Sequence, residues 1–71
     1  MINIAVIGFK QDFDELFKHM KTHNVNFICG CNETYAKGYS LDGIIYLPGY
    51  EKMENLDRIL YILKGQLISY D

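Results

Sequence analysis

Residues 2–8, INIAVIG, form a nearly unbroken apolar run rich in β-branched side chains. Such a run suits a strand buried on both faces, as in a parallel sheet. The period then changes. Phe13, Leu16, Phe17 and Met20 recur at i, i+3, i+4 and i+7, one apolar stripe of an amphipathic helix. Asp12 and Glu15 have the spacing of a capping box with Asp12 as the cap, and acids there favour a helix N-terminus. Thr22-His23-Asn24 ends this helix, with Asn24 suited to a left-handed C-cap. Residues 25–29 predict a second strand closed by Gly30, and residues 43–47 a third stopped by Pro48-Gly49. Between them lies a polar, tyrosine-bearing stretch with room for a single helical turn around residues 32–37, ended by Gly38. Residues 52–64 predict a second helix. Met53, Leu56, Ile59, Leu60 and Leu63 form its buried stripe, Glu51 and Glu54 its acidic start, and Lys64-Gly65 its end. Residues 66–70 predict a fourth strand.

The order is strand, helix, strand, short crossover, strand, helix, strand. Alternation of this kind predicts an α/β fold with a mostly parallel sheet joined by right-handed crossovers. The expected architecture is a small flavodoxin- or Rossmann-like domain of two or three layers. It has four strands in the order 2-1-3-4, two main helices, and one domain over residues 1–71.

A domain of 71 residues buries only roughly 60% of its unfolded surface, so an additional source of stability is expected. Cys29 and Cys31 stand two apart without a second pair, which makes a disulfide framework a poor candidate. Free buried thiols fit a reducing cytoplasm. The remaining route is self-association, as a homodimer or higher homo-oligomer. The chain carries 7 basic and 9 acidic residues, net charge −2, with no basic run. That argues against nucleic-acid binding and against a basic membrane-surface helix. No stretch approaches the ~20 apolar residues of a membrane span. The first apolar run has no basic residue before it, unlike a secretory signal. Heavy use of Ile, Asn, Lys, Tyr and Phe reflects AT-rich codons and suggests a low-GC bacterium or one of its phages.

Open parallel sheets bind ligands outside the carboxyl ends of their strands. Three loops, residues 8–12, 30–42 and 48–52, are expected on that edge, where helix N-termini offer free N–H groups to a phosphate or carboxylate. The candidate ligand-binding residues are Gly8, Phe9, Lys10, Asp12, Tyr39, Asp42, Pro48, Gly49 and Tyr50. Gly8 begins no dinucleotide fingerprint, because Lys10 and Phe13 occupy the other glycine positions. Tyr35, Tyr39, Tyr46 and Tyr50 offer flat faces with a polar tip, suited to a nucleobase, to a protein partner or to cover over a thin core. His19 and His23 have i, i+4 spacing, but no Glu follows His19 and no third ligand is nominated, so no metal is expected. Cys29 and Cys31 lack an evident base and are expected to be inert. Asp12, Asp42 and Glu51 are expected near the ligand edge, where capping and turn formation account for them without acid–base chemistry. No cofactor is expected.

Residues 41–50, LDGIIYLPGY, resemble the strand and loop of nucleoside 2-deoxyribosyltransferase-like proteins, and the following helix and closing strand fit their layout. The resemblance implies a nucleotide or nucleoside pocket beside Leu47-Pro48-Gly49-Tyr50. At the positions of that family's small residues stand Met53 and Asn55, and at its catalytic glutamate stands Ile59. The resemblance therefore implies a binding shell without a nucleophile. The expected function is non-catalytic binding of a nucleotide-like or phosphate-bearing small molecule, as in a phage-type sequestering protein. The alternative is a protein–protein module inhibiting a host enzyme through its tyrosine-rich loops.

Overall fold

The computed structural model describes residues 2–17, 20, 24–35 and 37–67. Three parallel strands form the sheet: β1 (Ile2–Ile7) in the middle, β2 (Val25–Gly30) and β3 (Gly43–Tyr46) on either side. Each lies where the apolar pattern puts it, to within a residue. In register, Ala5 stands beside Ile28 and Ile44, and Val6 beside Cys29 and Ile45.

Because side chains alternate along a strand, the two faces collect different residues. Ala5, Ile7 and Ile28 form one core with Leu41, Met53, Ile59 and Leu63, under helix α2 (Leu56–Gly65). The opposite face carries Val6 and Phe27, and helix α1 (Lys10–Phe17) lies there, with the Phe17 ring 4.7 Å from Phe27 and 5.4 Å from Phe13. The sheet is thus sandwiched between one helix on each face.

Both helices begin elsewhere than the sequence predicts. The Phe13 N–H donates to the Phe9 carbonyl at 3.0 Å, so α1 starts at Lys10 and Asp12 lies in its first turn rather than capping it. The cause is the short connection from β1. Gly8 lies so close to Leu47 that a Cβ on it would stand 2.8 Å from the Leu47 Cβ, and the chain enters the helix directly beyond. The second helix is interrupted. Tyr50–Lys52 form a 3-10 turn, Met53 is extended (φ −70, ψ 139), and α2 starts only after Asn55, which adopts the left-handed region at φ 58. Leaving the helical path carries Met53 into the core, where it is buried. Gly49, at φ 88, makes the turn out of β3 in a conformation that costs a glycine little.

Of the predicted fourth strand, Leu67 forms a parallel bridge with Leu41, whose N–H donates to the Gln66 carbonyl at 2.9 Å. Residues 68–70 lie outside the described residues, as do His19 and His23. Residues 33–35 and 37 lie in turns in place of the suggested helical turn; Ala36 lies outside the described residues. Among the described residues no helix is long and apolar enough to cross a membrane.

Candidate functional site

The connections leaving the carboxyl edge of the sheet enclose an open cleft of about 770 Å3. That volume lies within the usual range for small-molecule sites, about 300–1,000 Å3. Phe9 and Lys10 come from the start of α1, residues 31–35 from the loop after β2, residues 52–55 from the approach to α2, and Ile59 from its first turns.

Each wall has a local reason for its shape. After β2, the Asn32 side-chain oxygen accepts from the Thr34 N–H (2.9 Å), the Thr34 hydroxyl (2.8 Å) and the Tyr35 N–H (3.1 Å). An Asn bonding to the backbone two and three residues on fixes a tight turn. That turn sets Tyr35 on the rim, about half exposed, as is Phe9. The first N–H groups of α1 and α2 have no carbonyl one turn behind them, so both helix starts offer donors at this edge.

The charges are mixed. Lys10 donates to Asp14 at 2.9 Å, and this hydrogen bond, then the attraction of the carboxylate, raises the ammonium above its ordinary range. The pair is exposed and its energy is small. Glu33 is approached by Arg58 at 3.8 Å. Lys52 and Glu54 have no ion pair among the described residues. Lys52 is therefore the cation of the cleft least neutralised by its neighbours.

The sequence-derived candidates separate into four groups. Phe9 and Lys10 line the cleft, and Gly8 packs below them against Leu47. Asp12 and Pro48 line a smaller depression of about 280 Å3 with Glu15, Leu16 and Leu47. Gly49 and Tyr50 form the turn that leads toward the cleft, where Tyr50 packs on the core and lies 5.0 Å from the Tyr46 ring. Asp42 is at the opposite edge, contrary to expectation. Its carboxylate accepts from the Asn3 N–H at 2.9 Å and its own N–H donates to the Asn3 carbonyl at 2.8 Å. Because β3 runs parallel to β1, the residue before β3 belongs to the amino end of the sheet. Tyr39 is on this return path as well, next to Ser40, whose carbonyl accepts from the Asn3 side chain at 3.1 Å. Glu51 is exposed in the 3-10 turn and does not line the cleft.

Asn32, Thr34, Lys52, Glu54 and Asn55 are not among those candidates; the expected edge loops hold Asn32, Thr34 and Lys52, whereas Glu54 and Asn55 fall in the predicted second helix. Cys29 and Cys31 also depart from expectation: they are joined in a disulfide, with Cα atoms 5.3 Å apart. The loop between them is only one residue long, yet it follows extended backbone that brings the two side chains to one side. Inference of a reducing compartment from free thiols loses its basis. Among the described residues no three His, Cys, Asp or Glu side chains cluster as metal ligands. No family model, curated protein or solved structure matches the chain.

Proposed function

We propose that the chain binds a nucleotide-like, phosphate-bearing small molecule in the carboxyl-edge cleft and does not transform it. The observation that carries this is the meeting of two helix starts with Lys10 and Lys52 around one cleft, whose lining also includes the aromatic side chains of Phe9 and Tyr35. Helix N-termini and lysines suit phosphate, and aromatic faces suit a base. Ile59 at the floor supplies shape and no proton. The likeness of residues 41–50 to nucleoside 2-deoxyribosyltransferase-like proteins implies a pocket that has lost its nucleophile; Met53, Asn55 and Ile59, at that family's small-residue and glutamate positions, line this cleft, whereas residues 47–50 do not. A sequestering role, of the kind a phage uses against a signalling nucleotide, follows from binding without turnover, and a cytoplasmic setting goes with it. We extend the sheet to four strands in a flavodoxin- or Rossmann-like arrangement, for which the Leu41–Leu67 bridge is the support.

The second candidate function is inhibition of a host protein. Tyr61, 83% exposed on α2 beside exposed Arg58, favours it, since Tyr and Arg dominate protein interfaces. The test is an amide NMR titration with adenosine and guanosine monophosphates. Shifts at Phe9–Lys10 and Asn32–Tyr35 are expected, weakened at least about tenfold in the Lys10→Glu and Lys52→Glu variants. Unchanged affinity in both variants sinks the binding proposal. A single co-purifying host protein, lost on Tyr61→Ala, would replace it with the second.

A further inference from the structure

The disulfide between Cys29 and Cys31 spans a single residue. Restriction of the unfolded chain grows with the length of the closed loop, so a bond across so short a loop adds little general stability. Its effect is local. Cys29 is held in β2 beside Val6, and Gly30 is held beside Ile7. Gly30 is buried, and a Cβ there would meet the Val6 carbonyl oxygen at 2.9 Å, so this position between the two cysteines has no room for a side chain. Cys31 is the first residue beyond the strand and lines the cleft. The bond therefore ties the start of the 31–35 wall back to the rigid sheet. Both cysteines are only partly buried, which leaves the bond open to small reagents.

We propose that Cys29-Gly30-Cys31 is a reversible redox site that exchanges with small monothiols of the glutathione class, and that its state sets the position of the cleft wall. In reduction, one monothiol attacks a protein sulfur as its thiolate. The Cys29–Cys31 bond breaks and a mixed disulfide forms. A second monothiol attacks that mixed disulfide and leaves as the small-molecule disulfide. Two electrons pass to the protein, and the two protons of the monothiols end on Cys29 and Cys31. Oxidation by the small disulfide runs the same steps backwards. A chain working in a reducing compartment would then have its wall released, and would have it tied down when the thiol pool is oxidised. The proposal does not depend on what the cleft binds.

The test equilibrates the full chain with reduced and oxidised glutathione at graded ratios, quenches with iodoacetamide, and reads the intact mass. A two-electron transition from no alkylated cysteines to two is expected within the range the couple spans. In parallel, amide NMR spectra should show the Asn32–Tyr35 and Phe9 signals moving on reduction while those of α2 stay. Cys31→Ser should hold the wall signals at their reduced positions at every ratio. A chain that stays oxidised throughout, or is fully alkylated in oxidised glutathione, overturns the redox site. Signals that change at the cysteines alone, or a Cys31→Ser variant with the oxidised wall spectrum, overturn the coupling to the cleft.

Discussion

Ile59 serves two ends with one side chain. It is 2% exposed and packs with Ala5, Ile7, Ile28 and Leu63, and it also reaches the floor of the cleft. Truncation would open a void in a thin core and deepen the cleft together. Ile59→Ala is expected to cost about 2–5 kcal/mol. A domain of 71 residues has roughly 4–10 kcal/mol in all, so the variant should be near the limit of folding. In urea, the midpoint should fall with the slope unchanged. The place of Ile59 in the core was legible from its i, i+3, i+4 spacing with Leu56, Leu60 and Leu63. The standing of Lys52 was not. It stands at the junction of the expected edge loop 48–52 and the predicted helix, and only the break at Met53 sets its segment as a wall of the cleft.

At the level of elements, local patterns located all three strands and both helices, because each carries its own period. The alternation of strands and helices also gave the parallel direction, but the expected edge loop of residues 30–42 left out its consequence for the crossover between β2 and β3. The stretch from Gly30 to Asp42 reads as one polar loop, yet it starts at the carboxyl edge of the sheet and ends at the amino edge, as any crossover between parallel strands must. Tyr35 and Asp42 therefore part company. The helix break at residues 53–55 was hidden for a related reason: Met53 fits the helical stripe as well as it fits the extended position it takes. Asp42 gives the clearest test at this scale. It joins the entry of β3 to β1 through two hydrogen bonds with the Asn3 backbone, one of them to its carboxylate. Asp42→Ala should lower stability by about 1–2 kcal/mol, leaving the Asn3 N–H without this acceptor. Nucleotide affinity should be unchanged in the same variant. A loss of affinity without a loss of stability would return Asp42 to the binding site.

For the whole molecule, the apolar surface is unevenly covered. Helix α1 shields Val6 and Phe27, whereas Ile45, which stands beside Val6 in the sheet, is 38% exposed, and Leu16 of α1 is 56% exposed. Leu16 also borders the depression formed with Leu47 and Pro48. A core this small gains from further burial, and a second copy of the chain is the proposed cover. Sedimentation velocity should show a homodimer at micromolar concentration. Leu16→Lys and Ile45→Lys should each raise the dissociation constant at least about tenfold, a cost of about 1.4 kcal/mol or more. A monomer at all concentrations would refute this assembly and leave the cleft unaffected.

The placement of β1 has a consequence for synthesis. The strand made first is the one in the middle, and its neighbours come late: Ile2 lies against Val25, and Ile4 against Gly43. Translation at about 5–20 residues per second leaves INIAVI without either neighbour for up to several seconds. During that interval the nascent chain presents a β-branched apolar segment with both edges open, the kind of segment that chaperones hold and that misassociates when they do not. Yield in cells should then depend on how fast the ribosome delivers the later strands as well as on the stability of the finished fold.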